Sequence, residues 1–167
     1  MLALQITNTK NFMAQLLTGD CFDPFLLAEA TVSTAHTYSI DGHVNRDFYT
    51  PEELTRPEIC PYDFALWQDM KPLLFQLIKG THTPLYFKFV LHLKPELTGK
   101  LMAANNCSMP IEQIKALVLT IKYDGTHAIL TTGSAYHTFV MNKEPDTIWD
   151  KALTGYLSRK NIAYETL

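Results

Sequence analysis

The sequence predicts an α+β fold, mainly antiparallel sheet with helices laid over it, and three observations predict it. Short stretches with apolar residues at every second position alternate with stretches whose apolar residues recur at helical spacing. Two Asp-Gly pairs, Asp41-Gly42 and Asp124-Gly125, stand between strand-like runs, where hairpin turns belong. The chain has 167 residues, 47% hydrophobic and 19% charged, which suits one domain over residues 1–167 with a core of its own.

Taken in order, Leu2 to Ile6 reads as a strand, and Thr7 or Asn8 caps the helix that follows. Phe12, Met13, Leu16 and Leu17 form the apolar stripe of that helix, and Gly19 stands where a left-handed C-terminal residue belongs. Residues 25–40 read as one long strand, with Leu26, Ala28, Ala30 and Val32 on one face. Asp41-Gly42 then turns it into a hairpin. The register that keeps apolar residues together places Tyr38 opposite Val44 and His36 opposite Arg46. Thr50-Pro51-Glu52-Glu53 has the capping-box pattern with proline at the first helical position. Trp67, Met70, Leu74, Leu77 and Ile78 mark the next helix, with Asp69 as its cap so that Pro72 falls in the first turn.

The run from Leu85 to Leu93 is the clearest strand, with Phe87, Phe89, Leu91 and Leu93 facing one way. A helix from Pro95 to about Ala104 follows, then a helical turn from Pro110 to Ile114. Ala116 to Tyr123 and His127 to Thr132 form a hairpin about Asp124-Gly125, pairing Ile121 with Ala128 and Leu119 with Leu130. Gly133 turns into a third strand, Ala135 to Met141. The closing helix begins near Pro145 or Asp146, with Trp149, Leu153, Tyr156 and Leu157 as its stripe and Arg159 and Lys160 at its C-terminal dipole.

The order strand, helix, strand, Asp-Gly hairpin, strand, helix occurs twice, in residues 1–80 and 81–167. The expected layout is an internal pseudo-duplication, in which two sheets hide their apolar faces together under few helices.

Net charge is −3, divided unevenly: residues 1–80 hold 5 Lys/Arg against 10 Asp/Glu, and residues 81–167 hold 9 against 7. Neither half carries the dense basic stripe of an autonomous DNA binder. Three distant cysteines, Cys21, Cys60 and Cys107, without a Cys-x-x-Cys, argue against a disulfide framework or structural zinc. The opening residues lack a basic n-region, and no apolar run approaches the roughly 20 residues a membrane helix requires. A cytoplasmic protein with no membrane partner is expected.

Leu4-Gln5-Ile6-Thr7 with Phe12-Met13, Ser39-Ile40-Asp41-Gly42, Ile78-Lys79-Gly80 with Thr83-Pro84, and Thr131-Thr132-Gly133 carry a resemblance. Over most of its length the chain resembles members of a small, uncharacterised bacterial family of unknown function, which implies no activity. The doubled element order is also similar to one domain of a DNA sliding clamp, with Leu117 to Thr132 in the place of a clamp hairpin. That likeness implies a ring-forming, clamp-like nucleic-acid accessory. The chain departs from it in having only Lys10 on the first helix and Lys100 on the helix from Pro95.

Among residues that carry chemistry, His36, Tyr38 and Arg46 are the candidate ligand-binding set, brought together across the first hairpin. His127 and His137 flank Gly133 on neighbouring strands, whereas His43, His82 and His92 stand isolated. No His-x-His, His-Glu-x-x-His or glycine-rich phosphate loop occurs, so neither a metal nor a cofactor is expected, and no catalytic residue is assigned. Ser134 lacks the Gly-x-Ser-x-Gly context. Phe87 and Phe89 read as core rather than as a base-stacking platform. Pro61-Tyr62, Phe64 and Trp67 read equally as a partner anchor or as packing on the sheet. The leading expectation is a non-catalytic binding or assembly module of the bacterial cytoplasm, with a protein partner or self-association. Next come a small-molecule-binding protein or enzyme with a site between the halves, and then the clamp-like accessory, with nucleic acid the least favoured partner.

Overall fold

The computed structural model describes all residues from Met1 to Leu167. The strands are β1 (Ala3–Ile6), β2 (Phe25–Ser33), β3 (Thr37–Asp41), β4 (Ala65–Leu66), β5 (Tyr86–Leu93), β6 (Ile114–Tyr123), β7 (Ala128–Tyr136) and β8 (Tyr164–Thr166). The helices are α1 (Thr9–Leu17), α2 (Pro51–Leu54), α3 (Trp67–Ile78), α4 (Pro95–Ala104) and α5 (Glu144–Arg159). The fold is α+β. All eight strands join one open antiparallel sheet in the order β3-β2-β5-β6-β7-β1-β8, with β4 on the outer side of β2.

One face of that sheet makes the core. Val32, Phe87, Tyr123 and Ala128 lie in line across β2, β5, β6 and β7, as do Ala30, Phe89, Ile121 and Leu130. Phe12 and Leu16 of α1, Trp67 and Leu74 of α3, and Trp149, Leu153 and Leu157 of α5 pack against them in one cluster of 30 buried residues. Burying such side chains contributes about 1.5–3 kcal/mol each. The opposite face carries no helix. Its residues Glu29, Thr31, Lys88, Val90, His92, Val118, Thr120 and Thr131 all keep contact with solvent.

Local chemistry explains several boundaries. The Asn8 side chain accepts the Asn11 amide and starts α1. Thr50 and Glu53 close a full capping box on α2. Asp124 Oδ1 accepts the amides of Thr126 and His127, at 2.9 and 2.7 Å, and shapes the β6–β7 turn.

The structure corrects several expectations. The first hairpin turns at Thr34-Ala35-His36 and not at Asp41-Gly42, so residues 25–40 form two strands. Tyr38 pairs with Val32 rather than facing Val44, and Arg46 lies outside the ladder. Gly42 serves a different purpose. Its N–H donates to Ala28 O at 2.9 Å and its C=O accepts from Ala65 N at 2.8 Å. In the second hairpin Ile121 pairs with Leu130 and Leu119 with Thr132. That is two residues from the expected register, which leaves every side chain on its expected face. β7 runs straight through Gly133, so His127 and His137 sit beyond its opposite ends. Helix α3 starts at Trp67, two residues before the expected cap, and holds exposed Pro72 in its interior. Gly19 is not in the left-handed region.

The pseudo-duplication does not extend to the sheet. β5 lies beside its hairpin β6–β7, whereas β5, β6 and β7 separate β1 from β2–β3. With one continuous sheet, the halves have no interface of two apolar layers. The clamp-like layout, and a site between halves, have no counterpart in this topology.

Candidate functional site

The helix-free face holds a groove of about 680 Å³ over β3, β2 and β5. It is built where β2 changes partners. β3 covers Glu29 to Ser33, and β4 covers Leu26 and Leu27. Between them the chain crosses over Ala28, the irregular residue of the β2–β5 ladder. This crossing carries Asp41, Gly42 and His43 onto the open face, and an isolated bridge ties His43 to Phe64.

The Asp41 carboxylate accepts from His43 twice: from its backbone N–H at 2.9 Å and from ring Nδ1 at 2.8 Å. A carboxylate only accepts, so this bond assigns a hydrogen to Nδ1, and in the neutral ring Nε2 is then an acceptor. The backbone N–H of His43, with its ring second, holds the Asp41 carboxyl below its ordinary range. The His43 ring lies 4.3 Å from that of Phe64, and Phe64 meets His92 edge-on at 4.8 Å, so three rings wall the groove. Burial, then Lys115 and His43, lowers the His92 pKa below the ordinary 6.5. The shift favours the neutral ring. Lys88 Nζ lies 3.8 Å from Glu29 on the groove floor. Ser39 and Thr31 line the groove, but no hydrogen bond from either reaches His43. An acid-oriented imidazole without a bonded nucleophile suits recognition of a donor group.

The residues anticipated for ligand binding are dispersed. His36 is exposed at the tip of the β2–β3 turn, and Tyr38 lies on the opposite face of β3 from the groove. Arg46 Nη2 bonds Asp63 Oδ1 at 3.1 Å. No hydrogen bond or ion pair joins the three. His43 and His92, read as isolated, are the pair brought together. Tyr62 donates to Glu96, which with burial raises its pKa to about 12, and Trp67 is buried beside Phe89. Phe87 stacks on Phe89 in the core at 4.7 Å.

A second polar cleft, of about 710 Å³, lies where β7 passes the start of α5. Ser134 and Tyr136 of β7 face Asp146 and Asp150 of α5 there, and Thr132 donates to Asp150. Ser134 Oγ and Tyr136 Oη are buried without a partner in hydrogen-bond geometry. Burial, with smaller contributions from nearby Asp146 and Cys107, raises the Tyr136 pKa even though Ser134 opposes it. No group of three or more His, Cys, Asp or Glu is arranged to hold a metal, and no helix is long and apolar enough to cross a membrane.

A one-sided antiparallel sheet with an imidazole- and phenyl-walled groove on its bare face defines the fold class as α+β. The chain belongs to DUF5721, a family of unknown function whose model matches residues 15–165. No curated protein and no solved structure matches it.

Proposed function

We propose that this protein is a non-catalytic binding module that takes an extended peptide segment of a protein partner as an added strand beside β3. The free edge of β3 carries the reading. Bonds from Gly42 N to Ala28 O and from Thr34 N to His36 O bracket the β2–β3 ladder. Hydrogen-bonded pairs alternate along an antiparallel ladder. The inward backbone groups of β3 therefore belong to Tyr38 and Ile40, and those of Thr37, Ser39 and Asp41 point outward. β3 pairs only with β2, and Thr37 to Asp41 contains neither the lysine nor the proline that usually guards an edge. A strand added here gains main-chain hydrogen bonds, and its alternate side chains reach over Ser39 and Asp41 into the groove.

The test uses peptides selected against the intact protein from a random library. Amide exchange at Thr37, Ser39 and Asp41 slows on binding. Ser39→Pro removes an outward N–H while leaving the β2 bonds intact, and weakens binding at unchanged far-UV circular dichroism. Equal affinity for Ser39→Pro, or unaltered exchange at the three amides, overturns the reading.

A further inference from the structure

On the opposite, helical side a slot of about 150 Å³ opens between the end of the sheet and the crossing of α4 with α5. Phe25 and Leu93, cross-strand partners on β2 and β5, form its floor, and Leu101, Trp149, Leu153 and Tyr156 form its walls. The two polar groups of these walls are satisfied: the Tyr156 hydroxyl donates to Cys21 O, and Trp149 Nε1 donates to Val118 O at 2.9 Å. The apolar lining is thus fully satisfied. A cavity of about this size lined by aliphatic and aromatic groups accepts a benzene-sized body.

The one charged group in the lining is Arg159. It is exposed and makes neither an ion pair nor a hydrogen bond. Its guanidinium carbon lies 5.9 Å from the Tyr156 ring centroid, and Lys160 Nζ approaches the same ring at 5.6 Å. The guanidinium lies back along α5 over Gly155, one turn earlier: a Cβ there would come 3.4 Å from Arg159 Nη1, an ordinary contact.

An apolar slot ending on an unpaired guanidinium matches one chemistry. We infer that this slot binds a small organic carboxylate with an apolar body of about six carbons, the body against Trp149 and the carboxylate on Arg159. The site is separate from the β3 edge and stands or falls independently of the peptide reading.

Calorimetric titration of the intact protein with benzoate and hexanoate, against benzyl alcohol and hexan-1-ol, tests it. Each acid should bind about two- to fivefold more tightly than its alcohol, since an ion pair with an exposed guanidinium is worth up to about 1 kcal/mol. Arg159→Gln should remove the gap by weakening the acids alone, and Leu101→Phe, on a half-exposed position of α4, should weaken all four ligands. Trp149 emission should shift on acid binding. Equal affinity of acid and alcohol, acid binding unaffected by Arg159→Gln, binding that survives Leu101→Phe, or no saturable binding at millimolar ligand each overturns the inference.

Discussion

The Gly42 amide donates to the Ala28 carbonyl at 2.9 Å, and that bond fixes the place where β2 exchanges β3 for β4. The crossing requires a bare backbone. A Cβ on Gly42 would meet Leu27 O at 1.8 Å and Leu27 C at 2.7 Å. Backbone atoms on both sides cannot give way as a flexible side chain would. Gly42→Ala is expected to cost about 3 kcal/mol or more, measured by urea denaturation, and to disorder the Asp41–His43 groove. A loss under about 0.5 kcal/mol would contradict the crossing geometry.

Lys71 of α3 reaches down to the α1–β2 connection, where its Nζ lies 2.9 Å from Asp23 Oδ1 and 2.6 Å from Gly19 O. The two side chains are only 14% and 28% exposed, so solvent screens the pair incompletely. Lys71→Met strands a half-buried carboxylate and a carbonyl, and should cost about 1–3 kcal/mol. Adding Asp23→Asn should recover part of that loss, and a double-mutant cycle reads the coupling. Strictly additive losses would show that the pair contributes nothing.

His92 gives the fold a dependence on pH. Its folded pKa lies below the ordinary 6.5 because burial disfavours the cation. The unfolded chain therefore binds the proton more readily. The stabilisation is fully present above the unfolded value and is lost as pH falls through the folded one. Wild-type stability should decline on acidification below about 6.5, and His92→Gln should flatten that decline. NMR titration should place the imidazole midpoint under 6.5. Because Lys115 and His43 both push the midpoint down, Lys115→Gln should raise it. A midpoint at or above the ordinary value would refute the assignment.

Tyr136 buries a hydroxyl near Ser134 and Asp146 without a well-formed hydrogen bond to either. Removing such a group restores nothing lost and relieves a desolvation cost, so Tyr136→Phe should be neutral or stabilise by up to about 1–3 kcal/mol. Thermal melts decide the sign. A clear destabilisation would mean that the phenol is satisfied within the second polar cleft.

Much of the element list was legible because it rests on local chemistry. The alternation from Tyr86 to Leu93, the Asn8 cap and the Thr50–Glu53 box each specify their structure within a few residues. The first hairpin was not legible. Thr34, Ala35 and His36 turn the chain with no positive φ and no glycine, while the Asp-Gly pair that signals a turn is used for close backbone approach. Sheet order was also hidden, since period-two patterning tells a strand which face is inside but not which strand is its neighbour. β8 is three residues long and carries no alternation of its own. The groove escaped for the same reason. His43, Phe64 and His92 come from three separate segments, and only Asp41-Gly42-His43, with an acid two residues before an imidazole, held a local clue.

The position of β1 has a consequence for how the molecule is made. Leu4 pairs with Leu130 and Thr166, so β1, made before β2 to β6, waits for β7 and β8. Until β7 emerges, Leu4 and Ile6 have no ladder to join, and the nascent chain must carry them unsheltered while β2 to β6 are made. Loop closure over such separations slows folding. A product stalled before β7 would present the sticky β1 segment to the quality-control machinery, although β2, β3, β5 and β6 would already be made.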